Sequence, residues 1–360
     1  MENRGLLFIP DISGFTRFVN EIEIEHSRHI IQQLLEVLIN ANQIGLEVSE
    51  IEGDAILFYK FGNPPELATI YKQVERMFCD FHQHLIAYDH RRICQCKPCV
   101  SAVDLSLKVV THYGEFATYN VRQFSKLIGK DVIVAHQLLK NDIDKHEYWL
   151  VTKSLAPGEI PVGPAKWMEW NTSAKQTENG EIPFVYTQLS QLKNELPPDL
   201  PPHIEIANKA KMITVWRDYE VDVKTLCYTV VHFEFRHEWQ VGLKAIDEVE
   251  HFLPGVGSRH RHVLDNGQIV MMYTSSFVYD PESKIMFSET DEKKKSSLYY
   301  TIEKSGEHTS RLTLEYCIEK NAVKQLLFNL TEKKKMESML QQSLQNLDKI
   351  AREMVLPLEF

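Results

Sequence analysis

The sequence predicts a mixed α+β protein in two parts, each built on its own sheet. Three observations carry this. An apolar run at Leu6 to Ile9 leads into a helical stretch, a second strand, a tight Gly53-Asp54 turn and a third strand. A proline-rich joint, Asn194-Glu195-Leu196-Pro197-Pro198-Asp199-Leu200-Pro201-Pro202, should be extended and stiff. Beyond it, alternating strands give way to one long amphipathic helix.

In the first part, Phe8-Ile9-Pro10-Asp11-Ile12-Ser13-Gly14-Phe15-Thr16 ends a strand in a carboxylate. Ser13 offers a helix cap, and Gly14 lets the backbone turn tightly. Ile30, Ile31, Leu34, Leu35 and Leu38 recur at helical spacing and should face the sheet. Leu46 to Ile51 reads as the second strand and Ala55 to Phe61 as the third. In a split β-α-β-β-α-β sheet the third strand lies beside the first and antiparallel to it. Asp11 and Asp54 then meet at one sheet edge. Two carboxylates that close repel unless a cation lies between them. Hard oxygen donors suit Mg²⁺ or Mn²⁺, and a helix N-terminus suits phosphate. A strand-end cap at Asp11 and a surface turn at Gly53-Asp54 would leave the same residues without a ligand.

Pro64-Pro65 breaks the chain before a helix from about Glu66 to Tyr88. Leu105 to His112 is a fourth strand, with a turn at Tyr113-Gly114, and Phe124 to Asn141 holds the next turn and helix. Tyr148 to Thr152 and Phe184 to Leu189 are the remaining strands. Asp-Ile-Ser-Gly-Phe-Thr, followed by Gly-Asp-Ala and an apolar strand, resembles the metal-binding core of class III nucleotidyl cyclases, the adenylate and guanylate cyclases. The resemblance spans roughly Gly5 to Leu192. It implies a ferredoxin-like βαββαβ domain over residues 1–192. It also implies two Mg or Mn ions held by Asp11 and Asp54, with the Ile12 carbonyl assisting. A nucleoside triphosphate would meet the backbone of Gly14, Phe15 and Thr16. Glu50 and Lys126 fall at the two base-reading positions, and a homodimer is expected because such active sites form between subunits.

The chain departs from that family at two positions. Ile133 stands where cyclases carry an Asn that orients the ribose, and Gln137 where they carry an Arg that neutralises phosphate charge. Ile forms no hydrogen bond with a ribose, and Gln brings no charge. Losing one transition-state donor typically costs about a hundred- to a thousandfold. The expectation is nucleotide binding with weak or altered chemistry, and no residue is assigned as catalytic.

Cys94-Gln95-Cys96-Lys97-Pro98-Cys99 packs three thiols into a short turn. Thiolates so close suit tetrahedral Zn²⁺ given one further ligand, for which Cys79, His82, His90 and His112 are candidates. A redox pair, or three unrelated reduced cysteines, would leave the same pattern. Cys227 and Cys317 read as core residues.

Residues 193–207 form the linker and 208–360 the second domain. Met212 to Val221 reads as a strand, and Val223 to Ile246 contains short helices. Further strands are expected at Glu248 to Leu253, Ser258 to Leu264, Gln268 to Val278, Lys284 to Glu289, Leu298 to Lys304 and Arg311 to Glu319. Asp265-Asn266-Gly267 and Ser305-Gly306-Glu307 are hairpin turns. One helix runs from about Asn321 to Met354, with Leu340, Leu344, Leu347, Ala351 and Met354 as its apolar stripe. This order resembles the START-like (SRPBCC) superfamily with its helix-grip fold. The resemblance implies an antiparallel sheet curved around the last helix and a cavity for an apolar small molecule. Met271, Tyr273, Phe277, Met286, Phe287 and Tyr300 would line that cavity, or simply fill a core. Arg259-His260-Arg261-His262 places two His on one strand face. A solvated or capping role is expected there, with a metal pair as the alternative.

The chain has 360 residues, enough for two ordinary domains, and a net charge of −10. That charge argues against a nucleic-acid backbone as main partner. No apolar run reaches the length of a membrane span, and no signal-peptide pattern opens the sequence, so a cytoplasmic protein with reduced cysteines is expected. Together these readings describe a cytosolic signalling protein: a cyclase-like domain for a nucleoside triphosphate and divalent metal, and a sensor for an apolar ligand. The alternative is a non-catalytic scaffold, or a small-molecule or lipid binder whose first domain only dimerises.

Overall fold

A computed structural model describes residues 3–19, 24–157, 165–177, 180–198, 208–248, 255–293 and 296–356. They fall into two compact units. The first draws on Met1–Glu21, Ile30–Ile86 and Ser101–Asp199, the second on Ile22–His29, Ala87–Val100 and Leu200–Phe360. Two short segments from the first half of the chain, 22–29 and 87–100, thus count with the second unit.

In chain order the first elements are β1 (Arg4–Ser13), α1 (Phe15–Val19), α2 (Ile24–Asn40), β2 (Glu47–Glu52), β3 (Ala55–Phe61), α3 (Leu67–Arg91) and α4 (Lys97–Ser101). There follow β4 (Ser106–Glu115), β5 (Ala117–Val121), β6 (Phe124–Ile128), α5 (Lys130–Leu139), β7 (Tyr148–Thr152), β8 (Trp170–Thr177) and β9 (Gly180–Gln188). One sheet has the order β2-β3-β1-β4-β7-β9-β8. β3 lies beside β1 and antiparallel to it, with Asp11 opposite Ala55. That is the split arrangement expected from the sequence. Only β4 and β7 run parallel among these pairs.

β1 is buried on both faces, which explains its unbroken apolar run. Its odd residues Leu7 and Ile9 pack with Ala55 and Leu57 of β3 and with Val132, Ala135 and Leu138 of α5. Since side chains alternate along a strand, Asp11 continues that α5-facing row. The expected helical face of α2 is buried at Ile30, Ile31, Leu34 and Leu38. Buried Gln73 of α3 fixes the exit from α2: its Oε1 accepts from the Gln43 and Ile44 amides, and its Nε2 donates to the Ala41 carbonyl.

Three local differences from the sequence reading have physical causes. Phe124–Ile128 is a strand that pairs with β5, not the entry to a helix, because a short mixed run fits either period. β4 runs through Tyr113-Gly114 without turning. Gly114 is needed there for close approach, since a Cβ would lie 2.3 Å from the Asp131 side chain. The polar strand β8 carried no alternating apolar signal to find it by.

The second unit continues with β10 (Lys209–Tyr219), α6 (Val223–Val231), α7 (Phe233–Trp239), β11 (Leu243–Glu248), β12 (Arg259–Leu264), β13 (Ile269–Asp280) and β14 (Lys284–Asp291). It ends with β15 (Ser296–Lys304), β16 (Ser310–Glu319), α8 (Ala322–Thr331) and α9 (Lys333–Glu353). These strands form an antiparallel seven-stranded sheet, β10-β16-β15-β14-β13-β12-β11. The strand expected at Glu248 to Leu253 lies mostly outside the described residues, and so does most of the 193–207 linker. The expected single C-terminal helix is two helices, broken at Glu332. Leu340, Leu344, Leu347 and Ala351 of α9 are buried against the core as the stripe predicts. Tyr219 of β10 donates to the Leu344 carbonyl at 2.7 Å.

Inside this unit a charged group is sealed from water. Arg236 donates to both oxygens of Glu289, at 3.2 and 2.9 Å, and Tyr300 donates to Glu289 at 2.8 Å. Burial alone would raise the Glu289 pKa, but Arg236 with His260 and His262 holds it down to about 2. His260 and His262 are buried, not solvated, and burial lowers both their pKa values, His262 to about 4. The expected exposed His pair is therefore corrected: β12 turns that face toward Glu289, with His260 Nε2 3.6 Å from it. Removing one partner of a buried ion pair costs about 3–5 kcal/mol, whereas replacing both by apolar groups costs far less. Glu289→Gln should therefore lower stability by about that amount, and the double variant Arg236→Met/Glu289→Leu by much less. Denaturant unfolding of the three proteins checks this; equal losses in both variants would refute it.

Candidate functional site

Two tight turns bring the acidic residues of the first unit together. Gly14, at φ 91°, turns the chain out of β1, and Gly53, at φ 62°, turns β2 into β3. Only glycine adopts such backbone angles at little cost. The Ile12 amide donates to the Asp54 carbonyl at 3.0 Å, which locks the two turns side by side.

The result is a cleft of about 760 Å³. Asp11, Ile12, the run Gly14 to Arg17 and Asp54 lie along its wall. Ile133, His136, Gln137 and Lys140 of α5 or its end face it from the other side. The sequence reading thus has Asp11, Ile12, Asp54, Gly14, Phe15 and Thr16 at one place. Ile133 and Gln137 line the same cleft.

One residue there was not foreseen. Lys108 of β4 stands directly opposite Asp11 in register, and its Nζ lies 3.3 Å from Asp11 Oδ1. It also donates to the Leu139 carbonyl at 3.4 Å, near the C-terminal end of α5. No motif marks Lys108; only the pairing of β1 with β4 puts it there. Burial raises the Asp11 pKa to about 6; Lys108 opposes the shift, and the neighbouring Asp54 charge adds to it. Asp54, half-buried, is raised as well, again mainly by burial.

Glu50 and Lys126 pair with each other, Lys126 Nζ donating to Glu50 Oε2. His136 joins them, 3.8 Å from Glu50 and 3.8 Å from Glu52. Glu52 lines the cleft, while Glu50 and Lys126 lie beyond its lining. Of the residues named for an apolar cavity, Phe287 and Tyr300 stack at 4.1 Å within the core of the second unit. Phe277 packs against that core, and Met271, Tyr273 and Met286 are half-buried.

The cysteine patch gathers a different fourth member from those expected. Cys94, Cys96 and Cys99 converge with His26, from the first turn of α2, and all four ligand atoms lie within 4.8 Å of one another. His82 instead packs on Phe78 and Phe81, and His112 bonds Thr152 and Asp131. Half-buried Cys79 and exposed His90 also stand outside the group. His26 lies 68 residues before Cys94, so no local spacing could have named it.

Residues 31–148 match the profile of a family described as a protein of unknown function, DUF2652. A Mycobacterium tuberculosis (strain ATCC 25618 / H37Rv) protein, the uncharacterized protein Rv2561/Rv2562, is 36% identical over 125 residues, covering 34% of this chain and 58% of that one. The match thus spans less than two thirds of that relative's length. Among solved structures, the catalytic core of a rhodopsin-guanylyl cyclase with converted specificity, in complex with ATPalphaS, is 14% identical with a TM-score of 0.38. It covers 52% of this chain and 96% of its own. A bacterial light-regulated adenylyl cyclase is 15% identical with a TM-score of 0.38, covering 54% and 56%. The adenylyl cyclase CyaB from P. aeruginosa is 14% identical with a TM-score of 0.34, covering 51% and 93%. These neighbours are class III cyclase domains at low identity, and at such scores the likeness has no bearing on what this chain does. Among the described residues no helix is long and apolar enough to cross a membrane.

Asp11 should also betray itself in stability. An unfolded Asp titrates near 3.8 and the folded one at about 6, so the folded chain holds this proton more tightly. Stability then falls as pH rises through that window and remains lower above it. Asp11→Asn should stabilise the protein by about 1–3 kcal/mol at neutral pH, with the gain disappearing near pH 3. Urea unfolding at the two pH values reads this directly. A net loss at neutral pH would mean that the Asp11–Lys108 pair holds the fold together.

Proposed function

We propose that the first unit binds a nucleoside triphosphate together with a divalent cation, in a signalling role, with cyclase chemistry weak or altered. The observation that carries this is the convergence of Asp11 and Asp54 in one cleft with the Gly14 to Arg17 turn. Both carboxylates have pKa values raised by burial, so each gains from an added positive charge. Two hard oxygen donors fit Mg²⁺ or Mn²⁺. Asp11 and Asp54 would hold the cation, with the Ile12 carbonyl beside them, and the cation would neutralise phosphate charge. Lys108 already supplies one positive charge to Asp11, which supports one tightly held ion more readily than two. Arg17 and Lys140 add positive charge at the cleft.

Weak chemistry follows from α5. Ile133 and Gln137 offer neither a ribose hydrogen bond nor a charge for the transition state, and a catalytic Arg in phosphoryl transfer can be worth about a thousandfold or more. A homodimer would repeat the same deficit in both sites. For the second unit, the antiparallel sheet and the long buried stripe of α9 support the helix-grip reading and an apolar-ligand sensor.

The Asp11–Lys108 pair favours one second reading, in which the carboxylates are self-compensated and the unit serves only as a dimerising scaffold. Titration of the full chain with each nucleoside triphosphate and Mn²⁺ separates the two. Metal-dependent binding, weakened roughly tenfold or more by Asp54→Asn, is expected, with little or no cyclic product. Absence of binding to any triphosphate would leave the scaffold reading.

A further inference from the structure

We propose that His26, Cys94, Cys96 and Cys99 form a structural zinc site within the second unit. The donor set is three sulfurs and one imidazole nitrogen, which is a common closed tetrahedral zinc sphere. The spacing agrees with it. His26 Nδ1 lies 3.2 Å from Cys96 Sγ, 3.5 Å from Cys94 Sγ and 3.5 Å from Cys99 Sγ. A tetrahedron with Zn–S near 2.3 Å and Zn–N near 2.0 Å has N···S edges of about 3.5 Å. The three distances are those edges, drawn in by a few tenths of an ångström at most.

A single imidazole hydrogen bond does not account for the same convergence. One imidazole nitrogen carries a single proton or a single lone pair, so it joins one thiol, not three. The three sulfurs are buried, at 7%, 1% and 0% exposure, where water does not satisfy them. All three are free cysteines, so no disulfide explains their approach. The Cys96 amide points at Cys94 Sγ at 3.5 Å, a donor that favours a thiolate there.

The surroundings are those of a closed site. His232 stacks parallel to His26 at 5.9 Å, and its Nδ1 donates to the Tyr228 carbonyl at 2.8 Å. Its Nε2 lies 3.7 Å from Cys94 Sγ, so it flanks the group of four without being one of its members. Four protein ligands leave no open position, which excludes a catalytic zinc. The ion clips the start of α2 to the loop after α3 and to α4, which carries Cys99. These are segments 22–29 and 87–100, which the second unit takes from the first half of the chain. Closing so long a loop is where a cross-link stabilises most.

The test is the metal content of the full chain, purified under reducing conditions from zinc-supplemented medium. About one zinc per chain is expected, released when a mercurial reagent titrates the thiols. Cys96→Ser and His26→Ala should lose it, with zinc affinity falling roughly a hundredfold or more, while His232→Ala keeps it. Cobalt exchanged into the wild-type chain should show thiolate-to-metal charge-transfer absorption and tetrahedral d–d bands. A metal-free wild-type chain that takes up neither zinc nor cobalt overturns the proposal, and so does a disulfide among the three cysteines. Zinc retained in His26→Ala but lost in His232→Ala overturns the assignment of the fourth ligand. The wild-type measurements stand even if a variant fails to fold.

Discussion

A carboxylate at the end of a strand buried on both faces sets the terms for the first unit. Asp11 cannot retreat into water, because β3 and β4 flank it and α5 covers the row it belongs to. Burial makes its charge expensive, and Asp54 makes it more so. Something positive must stand nearby. In this chain Lys108 does part of that work, and the open cleft leaves room for more.

Everything else around the cleft follows from holding that geometry. Gly14 and Gly53 supply the two left-handed turns, and the Ile12–Asp54 backbone bond ties them together. α5 then brings an apolar face to the sheet and leaves Ile133 and Gln137 toward the opening. On the reading proposed above, the cleft would hold a phosphate-bound cation and do little to accelerate a reaction on it.

The second unit solves its own burial problems by pairing. Arg236 of α7 and Glu289 of β14 are sealed together, with Tyr300 completing the carboxylate's bonds. The three cysteines around His26 pose the same physical question with softer atoms, and a metal ion is the compensation that suits them. In both cases polar atoms are held inside by partners distant in sequence.

What the sequence determined by itself was local. The run Leu6 to Ile9, the stripe of α9, the hairpin glycines and the order of strands depend on periodicity and turn chemistry, which act over a few residues. The Asp11 and Gly53-Asp54 motifs were legible for the same reason, and strand order sufficed to bring them to one edge. Lys108, His26 and the burial of His260 and His262 were decided only by tertiary structure. Strand register placed Lys108 opposite Asp11, and α2 carried His26 to cysteines 68 residues away. The β12 face that carries His260 turns toward Glu289 of another strand, itself paired with Arg236. Through-space electrostatics and packing act between residues that no sequence window contains, so these partners became visible only once the chain was folded.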